Sequence, residues 1–171
     1  MPDLWGLALD LQTMEPEDSM KILDMSAGNR AMWFDKTNPL VTFLDRRAEV
    51  SPTIVCDTSS MPPEVGGDYD LIVFDPPHAN FGANGHMAKR YGHSTHEQIR
   101  ATIRGSAAEA HRVSAPGALM ALKWNDHSFK LDVVLEMMSS YWEPLFGSHM
   151  RNRGGPQAGS QSYWVMLRRK P

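Results

Sequence analysis

The apolar positions of this chain fall into short runs separated by polar, glycine- and proline-bearing stretches, while two longer segments carry a helical period. The runs at Lys21–Met25, Leu40–Asp45, Thr53–Asp57 and Leu71–Phe74 are too short for helices and rich in β-formers, so they predict strands. Leu71-Ile72-Val73-Phe74 is continuously apolar, the pattern of a strand buried on both faces. Asp75-Pro76-Pro77-His78 follows it. Neither proline can donate to a sheet ladder, so the strand must stop there with Asp75 at its carboxyl end. Ile99, Ile103, Ala107 and Ala110 mark the apolar stripe of a helix that runs to Val113. Ser94-Thr95-His96-Glu97 resembles a capping box at its start, with Ser94 as the cap. Pro116-Gly117 ends the connection to a fifth buried strand, Ala118–Trp124. Leu131, Val134, Leu135 and Met138 are the inward positions of a second helix over Phe129–Tyr141. Trp142–Met150 and Ser162–Leu167 are the last two strands.

The first strand is followed by Ser26-Ala27-Gly28-Asn29-Arg30, a turn of small residues, and Ala31–Asp35 is expected to open a helix. A strand, a glycine-bearing turn and a helix form the ligand-binding beginning of a doubly wound sheet. The glycine lets a ligand approach the backbone, and amides at the helix start can bind polar groups. Asp45 ends the second strand 21 residues after Asp24, placed to accept hydrogen bonds from ribose hydroxyls. Its plainer reading is an ion pair with Arg46 or Arg47. Asp57 ends the third strand, and its plainer reading is a loop cap, because Asp-Thr-Ser-Ser is also a turn signature. Between Asp45 and Thr53 there is room only for a turn. Met61-Pro62-Pro63-Glu64 is non-helical. Leu4–Leu11 reads as a short helix or an extended arm, and Met14–Asp18 as an acidic connector.

At 171 residues the chain fits one domain with a real core. Its net charge of −3 supplies no global basic field, so any contact with nucleic acid must use local patches. A single cysteine, Cys56, excludes an intramolecular disulfide and fits a reducing compartment. The amino terminus lacks a signal-peptide pattern and no run approaches membrane-spanning length, so a cytoplasmic-type domain without membrane contact is expected. His86, His93 and His96 lack zinc-site spacing, and no metal is expected.

The order of these strand ends gives Asp75-Pro76-Pro77-His78 its meaning. It resembles the Asp/Asn-Pro-Pro-Tyr/Phe/Trp/His motif of class I S-adenosylmethionine-dependent methyltransferases that methylate exocyclic amines of nucleic-acid bases, the N6-adenine type foremost. The resemblance covers roughly residues 20 to 168, the catalytic core, with 1–19 as an arm or short helix. It implies an α/β Rossmann-like fold whose seven-stranded, mostly parallel sheet has the order 3-2-1-4-5-7-6 and an antiparallel last strand.

For the site, the resemblance implies that Asp24, Met25, Ser26, Ala27, Gly28, Asn29 and Arg30 wrap the methionine part of S-adenosyl-L-methionine. The family usually has Gly-x-Gly here, and Arg30 stands at the second glycine. Asp45 and Arg46 would meet the ribose. Asp57 would accept from the adenine amine, with a backbone amide near Cys56 or Thr58 on a ring nitrogen. Asp75, Pro76, Pro77 and His78 would be catalytic, with Asp75 also bordering the cofactor. The loop after them carries Phe81, Lys89, Arg90 and Tyr91, suited to a lid that meets phosphate and stacks on a base. Lys123, Trp124 and Asn125 would face the same cleft, and Arg151 and Arg153 lie in a basic link that contacts a nucleic-acid backbone or is a plain connection. The expected substrate is DNA or RNA, with a partner protein supplying target recognition, since no recognition domain is visible. Guanine-N2, cytosine-N4 or 2′-O-ribose methylation, small-molecule methylation, and a cofactor- or RNA-binding pseudoenzyme are the alternatives.

Overall fold

A computed structural model of the chain describes residues 19–76, 95–151 and 159–171. Within them the strands are β1 (Ile22–Asp24), β2 (Val41–Asp45), β3 (Ile54–Val55), β4 (Tyr69–Phe74), β5 (Ser114–Asn125), β6 (Trp142–Arg151) and β7 (Gln161–Arg169). The helices are α1 (His96–Val113) and α2 (Leu131–Met138). The strands form one seven-stranded sheet in the order β3-β2-β1-β4-β5-β7-β6. All neighbours are parallel except β7, which runs antiparallel to both β5 and β6. This is the expected topology.

Alternation along the strands sorts side chains onto two faces. Leu23, Ile72, Phe74, Met120, Leu122 and Leu167 project to one face and pack against Ile99, Ile103 and Ala107 of α1 and Val134 and Met138 of α2. Each such side chain contributes roughly 1.5–3 kcal/mol on burial, so this layer holds the fold. The second face is covered differently. Ile22, Val41, Phe43 and Val73 are sealed by Ala27, Met32 and Trp33 of the loop after β1, and neither helix contributes. Further along, Leu119, Phe146 and Trp164 remain exposed among the described residues.

The expected helix over Ala31–Asp35 does not form; turns occupy the whole stretch from β1 to β2. Arg30 enters the left-handed region at φ +54, which ends any helical run. Asp35 then accepts from the Thr37 N–H and hydroxyl, and Asn38 accepts from the Leu40 N–H, side-chain bonds that compete with a helix. Between β2 and β3 only the 3-10 turn Ala48–Val50 fits, as the spacing required.

The cap of α1 is Thr95, not Ser94. Its side chain accepts from the Gln98 N–H while the Gln98 side chain accepts from the Thr95 N–H, a reciprocal box one residue later than expected. β5 begins at Ser114, ahead of Pro116-Gly117, which lie inside it. The ladder jumps from Tyr69↔Ser114 to Leu71↔Leu119, so the proline sits in a bulge where its missing N–H costs no ladder bond. α2 is shorter than Phe129–Tyr141, because Phe129 is a core residue whose carbonyl accepts the Trp124 indole N–H. No helix among the described residues is long and apolar enough to cross a membrane.

Candidate functional site

The carboxyl ends of β1, β2, β4 and β5 converge on one crevice, the place where open α/β sheets take ligands. Its floor is the loop after β1. Asp24 is fully buried; its Oδ1 accepts the Ser26 N–H at 3.0 Å and its Oδ2 the Trp33 indole N–H at 2.7 Å. Burial pushes its carboxyl above the ordinary aspartate value, and the charges of Asp75 and Asp45 push the same way against those two hydrogen bonds. Asp24 therefore holds the loop in shape. Four more amides are committed: Met25 to the Val73 carbonyl, Ala27 to Leu44, Gly28 to Asp45 Oδ2 and Arg30 to Ala27. With no helix beginning here, the expected row of helix-start amides is not what this loop offers a ligand.

Arg30 explains how the loop dispenses with a second glycine. Its backbone takes the left-handed conformation a glycine would take, at a cost of roughly 1–2 kcal/mol. The guanidinium donates to the Lys36 carbonyl at 2.6 Å and the Ser51 carbonyl at 2.8 Å and lies 4.1 Å over the Phe43 ring. Those contacts offset the strain and occupy the side chain outside the crevice. Asn29 is exposed.

At the end of β2, Asp45 is clasped by Arg47, whose Nε reaches Oδ1 and Nη2 reaches Oδ2, both at 3.1 Å. Burial raises its carboxyl, but Arg47 and the Gly28 N–H outweigh burial and bring it below the ordinary value. Gly28 is required by its left-handed backbone at φ +50, since a β-carbon there would stand at ordinary contact distance, 3.4 Å, from the Arg47 Nη2. Asp57 accepts the Ser59 hydroxyl at 2.6 Å and N–H at 2.8 Å; these bonds lower its carboxyl, and the Arg46 charge adds to them. Cys56 is half-buried, and burial followed by the Asp57 charge pushes its thiol up. The Thr58 hydroxyl bonds Ser106 of α1 at 2.9 Å, tying this loop to the helix layer.

Asp75 leaves β4 on the loop-covered face. Its N–H donates to Ser26 Oγ at 2.7 Å, and its Oδ2 accepts from Lys123 Nζ at 2.7 Å. The two side chains keep 21% and 34% of their surface exposed. The register explains the pair: Phe74 lies opposite Leu122, so the next residues out, Asp75 and Lys123, share a face. Trp124 and Asn125 do not join them. Trp124 is fully buried, and Asn125 binds the Ser160 and Ser162 hydroxyls and caps the His127 N–H. Both shape the frame and present nothing to a substrate. Arg151 is exposed at the end of β6. Pro77, His78, Phe81, Lys89, Arg90, Tyr91 and Arg153 lie outside the described residues, as does the segment Leu4–Leu11. Among the described residues no cluster of His, Cys, Asp or Glu is arranged to hold a metal.

Ser26 fixes the Asp75 backbone and Arg47 clasps Asp45. Of the residues that shape this site, Trp164 is one the sequence did not single out. It lies opposite Lys123 in the ladder and remains 41% exposed on the same face. The alternation Trp164, Val165, Met166, Leu167 held the signal for it, since burying Val165 and Leu167 turns Trp164 the other way.

Among solved structures this chain is similar to the N-methyltransferase NodS from Bradyrhizobium japonicum WM9 in complex with S-adenosyl-L-homocysteine. Identity is 12% over 89% of this chain and 79% of that one, with a TM-score of 0.57. It is also similar to TrmN from Thermus thermophilus, at 16% identity over 88% of this chain but only 44% of that one, with a TM-score of 0.59. A third similar structure is a rRNA methylase from Streptococcus thermophilus, at 12% identity over 90% and 89% of the two chains, with a TM-score of 0.52. No family model and no curated protein matches the sequence. At such identities the likeness is one of architecture, and with the strand order it is specific: the chain has the Rossmann-like fold of the class I S-adenosylmethionine-dependent methyltransferases.

Proposed function

We propose that the chain is an S-adenosylmethionine-dependent methyltransferase acting on an exocyclic amine of a nucleic-acid base, adenine N6 foremost. The observation that carries this reading is the placement of Asp75. Its carboxylate stands at the carboxyl end of the central strand, with 21% of the side chain exposed, Oδ1 buried and Oδ2 toward Lys123, and its backbone is tied to Ser26 of the loop after β1. NodS is by name an N-methyltransferase and the Streptococcus protein a rRNA methylase, which supports a nitrogen acceptor and a nucleic acid.

The residues of the crevice fit the cofactor. Gly28 supplies the left-handed backbone, at φ +50, that turns the loop, and its N–H holds Asp45. Asp45 suits ribose hydroxyls, which would take sites the Arg47 guanidinium now holds. Asp57, whose carboxyl the Ser59 hydrogen bonds hold below the ordinary aspartate value, suits the adenine amine. When bound, the cofactor supplies a methyl group on a cationic sulfur, an activated electrophile.

The protein must make the nucleophile. An exocyclic amine is poor because its lone pair is delocalised into the ring. The Asp75 carboxylate and the Pro76 carbonyl accept the two amine hydrogens, which favours a pyramidal nitrogen with its lone pair toward the methyl group. Pro77 fixes that carbonyl, and His78 stacks on the ring or bonds its edge. The target is single-stranded or flipped out of a duplex, and a partner chain supplies target recognition. Replacing Asp75 with Ala should leave cofactor binding by titration calorimetry intact. Methylated nucleosides, read by mass spectrometry after incubation with labelled cofactor, should fall roughly 10²- to 10⁴-fold. Undiminished turnover removes the role.

The Asp75–Lys123 pair also favours a second reading, transfer to a ribose 2′-hydroxyl, because a lysine beside a strand-end aspartate recurs in enzymes of that kind. The same nucleoside spectrum separates them, since a ribose methyl stays with the sugar fragment.

A further inference from the structure

We infer that Asp75, Lys123 and Trp164 form one base-reading row, and that Lys123 selects a base whose amine adjoins an unprotonated ring nitrogen on the Watson–Crick edge. The inference rests on the methyltransferase reading and narrows its substrate. The three residues stand on adjacent strands at the same level of the sheet. Asp75 follows β4, Lys123 lies on β5 beside it, and Trp164 lies on β7 directly opposite Lys123. All three leave the sheet on the loop-covered face.

Their chemistry is complementary to one edge of a planar heterocycle. Oδ1 of Asp75 is buried, so the acceptor that a ligand can reach is Oδ2, and a carboxylate oxygen with about two lone pairs can hold Lys123 and take one amine hydrogen as well. An ammonium only donates. It carries three N–H groups and, among the described residues, bonds Asp75 alone. The acceptor and the donor are 2.7 Å apart, close enough for side-by-side bonds to neighbouring atoms of one ring. Acceptor beside donor on the protein demands donor beside acceptor on the ligand. Adenine meets this with its N6 amine beside N1, and cytosine with its N4 amine beside N3. On the same edge guanine offers its N2 amine beside an N1–H, which would face the ammonium donor to donor. The exposed indole of Trp164 adds a flat apolar surface next to Lys123, where a ring in or beside the target stacks.

The test compares methyl transfer to a single-stranded oligonucleotide carrying one target adenine with transfer to the same strand carrying 1-deazaadenine or 7-deazaadenine there. The wild-type chain should lose roughly 10- to 100-fold in kcat/KM on 1-deazaadenine, the scale of one charged hydrogen bond, and little on 7-deazaadenine. Lys123→Met should fall by a similar factor on adenine and no longer distinguish adenine from 1-deazaadenine. Lys123→Arg keeps a donor and should restore the distinction, a recovery that a merely structural lysine would not show. Trp164→Ala should raise KM while leaving the 1-deaza effect in place. Equal sensitivity of wild type and Lys123→Met to 1-deazaadenine overturns the inference, as does discrimination by 7-deazaadenine instead. Efficient transfer to guanine overturns it too. Failure of the wild type to methylate any base overturns the underlying reading, and is distinct from these because adenine itself then takes no label.

Discussion

The loop after β1 depends on two residues with left-handed backbone, and they tolerate it for different reasons. Gly28, at φ +50, has no β-carbon to strain, whereas Arg30, at φ +54, holds its conformation through two carbonyls and the Phe43 ring. Gly28→Ala therefore adds the left-handed cost of roughly 1–2 kcal/mol, which should appear as a lower urea midpoint with an unchanged slope. The new methyl meets the end of the flexible Arg47 side chain at 3.4 Å, so backbone strain and not a clash sets the size of the effect. The letter Arg30 looked like a loss of the family's second glycine; the backbone shows the same conformation reached by other means. That substitution was not legible in sequence, because the carbonyls that hold Arg30 belong to Lys36 and Ser51, the latter beyond β2.

α1 carries a constraint that its amphipathic stripe hides. Gly105 faces the loop after β3, and a β-carbon there would lie 2.8 Å from Ser59 Cβ and 3.1 Å from the Ser59 carbonyl. Alanine raises helix propensity by roughly 1 kcal/mol, but the backbone of Ser59 cannot give way as a side-chain tip can. Overpacking of this kind costs roughly 1–3 kcal/mol, so Gly105→Ala should lower the thermal midpoint despite the better helix former. It should also weaken cofactor binding by calorimetry, because Ser59 holds Asp57 by two bonds. The stripe of α1 and the seven strands were legible because burial on one face imposes a period that short windows reveal, whereas the strand order was implied only by the resemblance that Asp75-Pro76-Pro77-His78 carries. The absent first helix was not. Met32 and Trp33 supply the apolar positions a helix would need, yet Trp33 is drawn onto Phe43 edge to face at 5.6 Å and onto the buried Asp24. Trp124 cannot share the cleft with Lys123 because a strand turns only alternate residues to the same side, while Asn125 shares that side but is buried and held by the Ser160 and Ser162 hydroxyls.

At the scale of the whole molecule, the crevice gathers Asp24, Asp45, Asp57 and Asp75 at one edge of a chain with net charge −3, so its acid stability follows from how each is held. Asp45 and Asp57 are lowered by their hydrogen bonds and by Arg47 and Arg46, and Asp126 is lowered, against its burial, by the Gln161 N–H and Lys130. A carboxyl whose folded value is depressed adds stability that is complete above its unfolded value and is lost as pH falls through the folded one. Asp24 works in the opposite sense. Its raised value means that ionisation costs the fold, a cost relieved as pH falls toward 3.8. Asp35 is lowered by Thr37 and Glu109 by Arg112. Among the described residues, five lowered carboxyls against one raised predict a net loss of stability on acidification, concentrated below about pH 4, where the lowered carboxyls take up protons. Urea midpoints measured from pH 7 down to pH 2.5 should therefore hold nearly level and then drop. Asp45→Asn should lower the midpoint at pH 7 and flatten the acid drop, because the amide keeps the shape but loses both the ion pair and the proton it would have taken. A variant whose acid drop is as steep as that of the parent would show that Arg47 and Gly28 do not hold the end of β2 in solution, and the ribose site proposed at Asp45 would lose its framework with them.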